Sequence, residues 1–241
     1  MKTKKMIYAF LGMIFLTASC SSPKKTEEKI VDGEPPKAAV VEEETKVAVT
    51  AMVVSHSVTD FDKWLEGYNA SEEMMKASGI SNGTVHRHVD DPNMVTVTLF
   101  TKNHDSAKKY IQSEELKTAM KEAGVTSDPE ISFWENIWAR EPNESLQFEQ
   151  AYMVRHDVAD LDIWKKAFAD HESIRIANGA LALGSWVNAD SPSNVGIYIA
   201  VTDADKMSTF LQSPELGEKM KESGVVGEPI MNLLNIAQTT N

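Results

Sequence analysis

The chain has 241 residues, with 24 basic and 36 acidic side chains, a formal net charge of −12 and one cysteine. This acidic balance argues against nucleic acid as a partner, because nucleic acids attract clusters of Lys and Arg. A single cysteine excludes an intramolecular disulfide and any site built from paired thiolates.

Residues 1–19 have the features of an export signal. Three lysines precede an apolar run at residues 6–16, and small residues then lead to Cys20. The run is too short to span a bilayer as a helix. The segment resembles a bacterial lipoprotein signal peptide, which implies lipidation of Cys20; the alternative is an ordinary secretory signal that happens to end in cysteine. Ser21 follows in place of the aspartate linked with inner-membrane retention, so the resemblance implies a lipid-anchored protein of the Gram-negative outer membrane.

Residues 20–46 are rich in proline, lysine and glutamate and contain no aromatic residue. Such a segment cannot bury enough apolar surface to offset the chain entropy lost on folding. We therefore expect a disordered tether that holds the folded part off the membrane. Removal of residues 1–19, which carry three lysines and no acid, changes the formal charge from −12 to −15 and favours solubility.

The rest of the chain contains an internal repeat at a spacing of 100 residues. Residues 56–64 (HSVTDFDKW) correspond to residues 156–164 (HDVADLDIW), and the correspondence continues without a gap. A repeat of this length indicates two copies of one structural unit. We place these units at residues 47–140 and 146–241.

The sequence pattern of each unit predicts the same order of strands and helices. In the first unit, four stretches have the alternation or β-branching of strands, at residues 47–56, 84–89, 94–100 and 131–138. Three helical stripes lie between them, bounded by capping residues and glycines, at residues 60–79, 105–111 and 113–124.

The resulting order is βαββαβ with a split second helix, which is the ferredoxin-like unit. Such a unit covers one face of its sheet with helices and leaves the other face bare, and a bare apolar face needs a partner. We therefore predict an α+β fold in which two tandem ferredoxin-like repeats pack sheet to sheet as an intramolecular pseudo-dimeric α/β barrel. A monomer is sufficient for this arrangement.

Three motifs carry a resemblance to a known family. They are His-x-Val-x-Asp-x-Asp-x-Trp, then Asp-Asp-Pro-Asn-x-Val at residues 90–95, then Ser-x-Glu-Leu-x-x-x-Met-x-x-(Ala/Ser)-Gly-Val. Together they resemble the dimeric α/β-barrel superfamily, near the proteins grouped with antibiotic-biosynthesis monooxygenases. That superfamily includes cofactor-free oxygenases, haem-degrading enzymes, isomerases and members without a known reaction. The resemblance implies the fold and carries over no catalytic residue.

His56 and His156 are the first candidate site residues. Each lies where the first strand of its unit leaves the sheet, near the mouth of the predicted barrel. Each ring can hydrogen-bond the following loop, or it can line the cavity as a ligand-binding, proton-transfer group. Both alternatives stay open.

Positions that differ between the units carry more information about function. His86 and His88 project from one face of a strand, and Trp186 and Asn188 occupy the corresponding positions in the second unit. If that face points into the barrel, all four residues are ligand-binding candidates. A His-x-His pair can also begin a metal or haem site, although no third ligand is identified, and two solvated histidines are the alternative.

Three functions remain open. The first is a lipid-anchored envelope module that binds a small apolar or aromatic ligand or docks a partner. The second is a cofactor-free, monooxygenase-like enzyme that acts on a small aromatic or enolic substrate. The third is a haem or metal protein that uses His86 and His88. We favour the first, because a lipid-anchored location suits ligand capture or scaffolding and no triad-like set of polar groups is visible. We assign no cofactor, with haem as the alternative.

Overall fold

The structure is a computed structural model and describes residues 50–140 and 147–239. The export signal, Cys20 and the tether lie outside the described residues.

Strands alternate with pairs of short helices in two equivalent series. The first series is β1 (Thr50–Ser57), α1 (Phe61–Ala70), α2 (Glu72–Ala77), β2 (Ile80–His88), β3 (Met94–Thr101), α3 (His104–Ile111), α4 (Glu114–Glu122) and β4 (Glu130–Ala139). The second series is β5 (Gln150–Val158), α5 (Leu161–Asp170), α6 (Glu172–Ala177), β6 (Ala180–Asn188), β7 (Ser191–Val201), α7 (Ala204–Leu211), α8 (Pro214–Glu222) and β8 (Val225–Thr239).

Local sequence signals set the helix boundaries. The Asp60 carboxylate accepts a hydrogen bond from the Lys63 amide and caps α1. Gly79, with φ of 73°, follows α2 and supplies the left-handed conformation that ends a helix. The single helix predicted between these residues is wrong, because α1 and α2 are separated at Ser71. The Ser71 hydroxyl donates to the Gly67 carbonyl at 3.0 Å, a back-bond that bends helices.

The eight strands form one closed antiparallel barrel in the order β1-β3-β2-β8-β5-β7-β6-β4. Within it, β4-β1-β3-β2 and β8-β5-β7-β6 are two ferredoxin-like sheets. The edges of these sheets join, because β2 pairs with β8 and β4 pairs with β6. The predicted pseudo-dimeric barrel is confirmed, and the pairing of its edges is an additional feature that closes it.

Two apolar cores lie between the sheets and the helices, one in each repeat. Trp64 is buried in the first core, and Trp164, its counterpart in the repeat, is buried in the second. Successive side chains of a strand point to opposite faces of the sheet. On β1, Met52 and Val54 face the helices and belong to the core, whereas Ala51 and Val53 face the inside of the barrel. In the part of the chain that the structure describes, no helix is long and apolar enough to cross a membrane.

Candidate functional site

The barrel encloses a cavity of about 180 Å³ between the two sheets. His86 and Trp186 line it, as expected for an inward-facing strand surface. Large rings from both repeats also contribute, namely Phe100, Trp134 and Tyr198. An engineered apolar cavity of about 150 Å³ binds benzene, so the barrel cavity admits a ligand of roughly one ring.

The two strand histidines of the first repeat, His86 and His88, already have hydrogen-bond partners. His86 Nε2 lies 2.8 Å from the Tyr198 hydroxyl of the other repeat, and His86 Nδ1 lies 3.3 Å from the Thr96 carbonyl. His88 Nε2 lies 2.9 Å from Thr96 Oγ1, which is also 2.8 Å from the Ser55 hydroxyl. Burial lowers the pKa of His86 to about 4, so the ring is neutral near pH 7. This network ties the two sheets together.

His86 is poorly placed to act as a ligand for a metal ion or haem iron. Both nitrogens of His86 are hydrogen-bonded, and an imidazole needs a free nitrogen to act as a ligand. Among residues 50–140 and 147–239, no group of three or more His, Cys, Asp or Glu side chains could hold a metal ion.

Asn188 has a local role instead of lining the cavity. Its side-chain oxygen accepts hydrogen bonds from the amides of Asp190 and Ser191, at 2.9 and 3.1 Å, in the β6–β7 turn. The expectation that Asn188 contributes to the barrel cavity is therefore wrong, because the turn that follows the strand captures its amide group.

His56 and His156 do not line the barrel cavity either. Each comes directly after a residue that faces the inside of the barrel, so its own ring points to the opposite face of the sheet, under the helices. The two rings are 3% and 6% exposed, and they contact Trp64 and Trp164 edge-on at centroid distances of 5.5 and 5.9 Å. The alternative that they hydrogen-bond the following loop also fails, since all four ring nitrogens lack a partner in the described part of the chain.

One cleft lies around His56, between the first sheet and its helices, and a smaller one lies at the equivalent place around His156. The cleft around His56 has a volume of about 420 Å³, and we call it the first cleft. Trp64 and Tyr68 form one wall and stack at 5.3 Å, and the Tyr68 hydroxyl donates to Asn82 Oδ1 at 3.1 Å. The Tyr110 hydroxyl is buried, and within the described residues it has no partner.

Burial sets the protonation of the polar groups in the first cleft. It lowers the pKa of His56 to about 4 and raises the pKa of both Tyr68 and Tyr110. Near pH 7 the imidazole is therefore neutral, with one donor and one acceptor nitrogen, and Tyr110 keeps its proton. The site offers hydrogen bonds without a buried charge.

The corresponding second cleft, around His156, has different chemistry. Its volume is about 110 Å³. Phe168 and Phe210 replace Tyr68 and Tyr110, so both hydroxyl groups are lost, and the Arg175 side chain lines the cavity at the position of Met75. The two clefts occupy equivalent positions in the two repeats. The first is larger and is lined by two tyrosines, whereas the second is smaller and is lined by Arg175.

Sequence reasoning missed four of these residues, which are Tyr68, Tyr110, Arg175 and Tyr198. A usable signal was present, because each differs from its counterpart 100 positions away (Phe168, Phe210, Met75 and Thr98).

Comparisons with known proteins agree with this architecture. No protein-family model matches the sequence, and a search of curated proteins found no relative. An anthrone oxidase-like protein aligns with a TM-score of 0.57 and 13% identity, over 80% of this chain and 93% of its own. A proposed monooxygenase from Lactobacillus acidophilus NCFM gives a TM-score of 0.52 and 11% identity, over 78% and 94% of the two chains.

A mutant chlorite dismutase from Candidatus Nitrospira defluvii also aligns, with a TM-score of 0.52 and 9% identity, over 79% of this chain and 92% of its own. The chain has the dimeric α/β-barrel fold. The predicted resemblance in fold is thus confirmed, and identities this low show the fold alone.

Proposed function

We propose that the protein binds a small, flat and largely apolar molecule in the first cleft. One observation carries the proposal: His56 and Tyr110 line a cavity of about 420 Å³, and the His56 ring nitrogens and the Tyr110 hydroxyl are buried without a partner among the described residues. A buried polar group left unsatisfied costs about 1–3 kcal/mol. A ligand that hydrogen-bonds both groups recovers this cost, so the free protein is prepared for such a ligand.

The surroundings favour a neutral ligand with an aromatic ring. The stacked rings of Trp64 and Tyr68 present a flat apolar wall, and pockets of this kind combine apolar walls with a few polar groups that orient the ligand. The neutral His56 ring accepts a hydrogen bond from a ligand hydroxyl, and Tyr110 donates one to a carbonyl or second hydroxyl. A phenol or a quinone meets both requirements.

The test is a titration of the full chain with 1-naphthol and 1,4-naphthoquinone by calorimetry. Tyr110→Phe removes one oxygen and recreates the residue present at Phe210. It should weaken binding by about tenfold, since one hydrogen bond to a buried group is worth roughly 1.4 kcal/mol, while the melting midpoint is unchanged or raised. The matched control is Tyr152→Phe on β5, outside the cleft, which should leave affinity unchanged. Equal affinity in wild type, Tyr110→Phe and His56→Leu would rule out this site.

A second candidate function is cofactor-free oxygenation in the same cleft. Two observations favour it: an imidazole with no hydrogen-bond partner among the described residues in a buried aromatic site, and a fold shared with proteins described as monooxygenases. In this reaction His56 accepts a proton from an enolisable aromatic ketone, and the enolate reacts with dioxygen. A CH₂ group becomes a carbonyl, one oxygen atom enters the product and the other leaves as water, so no external reductant is required.

Oxygen uptake separates catalysis from binding alone. With anthrone as the probe, an enzyme consumes one dioxygen per ketone formed, and His56→Leu loses this turnover beyond the uncatalysed rate. Binding of anthrone without oxygen uptake above that rate leaves the protein a binding module and excludes the oxygenase.

We also propose that the mature chain is anchored to a membrane in the cell envelope through lipidated Cys20, with residues 20–46 as the tether. The support is the lysine-led apolar segment that ends at the only cysteine of the chain. Cys20→Ser should move the protein from the membrane pellet to the soluble fraction. A variant that stays wholly in the pellet contradicts the lipid anchor.

A further inference from the structure

The second cleft contains a buried positive charge, that of Arg175, which forms no salt bridge among the described residues and is favoured only by the nearby charge of Glu172. Arg175 is 9% exposed, and its guanidinium stacks 3.7 Å from the Phe168 ring. Its Nη1 donates to the Phe168 carbonyl at 2.6 Å, while Nε is buried without a partner in the described part of the chain. Burial lowers the pKa of Arg175 to about 10, which leaves the group charged at neutral pH.

No carboxylate of the described residues forms an ion pair with Arg175. Glu172, the acid nearest along α6, is bound by the Arg140 guanidinium, and Lys219 on the rim of the cleft pairs with Glu222 at 2.8 Å. A buried charge is strongly unfavourable unless it is paired and hydrogen-bonded. A bound anion would therefore stabilise a charge that no described carboxylate pairs with.

A second group in this cleft lacks a partner as well. His156 lines the same cavity, and both its ring nitrogens are buried and without a partner within the described residues. Burial keeps this ring neutral, because the pKa of His156 is lowered to about 4, so it supplies one N–H donor. Phe168, Phe210 and Trp164 form an apolar wall, and the Glu215 and Lys219 side chains also line the cavity.

We propose that the second cleft binds a small monocarboxylate, with its carboxylate against Arg175 and His156 and its apolar body against the aromatic wall. One guanidinium and one imidazole N–H match the charge and the two oxygens of a carboxylate. Lys219, the other cation that lines the cleft, already pairs with Glu222, so a phosphate dianion would keep a negative charge that Arg175 alone does not offset. The volume of about 110 Å³ is below the roughly 150 Å³ that holds benzene, so the body is a short chain and not a fused ring system.

The two repeats are thus specialised for different ligands. The first cleft is larger and neutral, and the second is smaller and cationic, although both derive from the same unit. The second site does not depend on the function proposed for the first, because it rests on Arg175, whose counterpart in the first repeat is Met75.

The test compares butyrate with butyramide, which have similar shapes and differ in charge. The full chain is titrated with each compound while the Arg175 Nε–H resonance is followed by NMR. Butyrate should shift this resonance saturably, and butyramide should bind at least about tenfold more weakly because charge-assisted hydrogen bonds are the stronger kind. Titrations with acetate and benzoate, whose apolar parts are smaller and larger than that of butyrate, measure how large an apolar part the cleft accepts.

Matched variants separate the site from general anion binding. Arg175→Met recreates the residue of the first repeat and should abolish butyrate binding. Arg87→Met is the control, because Arg87 also stacks on a phenyl ring, that of Phe61 at 4.1 Å, and donates from Nε to the Pro92 carbonyl, but lies outside the cleft. It should leave binding intact.

Three results would overturn the proposal: butyramide binds as tightly as butyrate, Arg175→Met retains butyrate binding, or no carboxylate from acetate to benzoate shifts the resonance saturably. If Arg175→Met does not fold, the comparison of acid and amide in the wild-type chain still decides.

Discussion

Mild acid should destabilise this protein through three buried histidines. His56, His86 and His156 are 3%, 1% and 6% exposed, and burial lowers the pKa of each from 6.5 to about 4. In the unfolded chain these rings are solvated and titrate near the ordinary value. As pH falls, the unfolded state takes up protons first, so stability that is present above pH 6.5 is lost between pH 6.5 and about 4.

The size of the effect follows from the two pKa values. At pH 5, each histidine reduces the free energy of unfolding by about 2 kcal/mol relative to pH 7, and three independent sites remove roughly 6 kcal/mol. The total free energy of unfolding of a domain is about 5–15 kcal/mol. The protein should therefore be close to unfolding at pH 5, without any change in its carboxylates.

Urea unfolding of the full chain at pH 7, 6 and 5, followed by circular dichroism, measures this loss. His156→Leu should reduce the loss between pH 7 and 5 by about 2 kcal/mol, and it should not destabilise at pH 7 because it removes two buried nitrogens without partners. A free energy of unfolding that is equal at pH 7 and pH 5, or a His156→Leu variant with the full wild-type loss, would refute the reasoning.

Three further predictions concern the backbone and the assembly. Gly79→Ala and Gly179→Ala both strain a positive φ (73° and 75°), but a Cβ at Gly179 meets the Asp203 carbonyl oxygen, whereas Gly79 has open space. Thermal unfolding should show a cost of about 1 kcal/mol for Gly79→Ala and at least about 2 kcal/mol for Gly179→Ala, and equal costs would contradict the clash. Gly196→Ala should cost about 1–3 kcal/mol, since its Cβ lies 3.0 Å from the Trp134 ring; an unchanged melting midpoint would show that the ring moves freely. The chain should be a monomer in light scattering, because the closed barrel leaves none of its eight strands with a free edge; an obligate dimer would contradict this.

The local elements were predictable from sequence because their causes are local. Asp60 caps its helix through an amide three residues away, and Gly79 ends the next helix through its own backbone conformation. The repeat showed that the same elements occur twice. Because each sheet leaves one apolar face bare, the two copies were predicted to pack against each other as a barrel. The break at Ser71 was missed, because the apolar stripe continues through it.

The candidate site was predicted much less well, because the face to which a strand side chain points changes with every residue. His56 differs by one position from the inward-facing Ser55, and that position moves it from the barrel to the first cleft. Tyr198 meets His86 from 112 residues away, so no local pattern could pair them.

By itself, the sequence determined the element order, the caps, the duplication and the type of barrel, since these follow from neighbouring residues and from periodic burial. Only the tertiary structure decided that the sheet edges join, which side of the sheet each histidine occupies, and that one cleft is open while the other contains Arg175. These features depend on distances between residues far apart in the chain, and such distances exist only once the two repeats have packed.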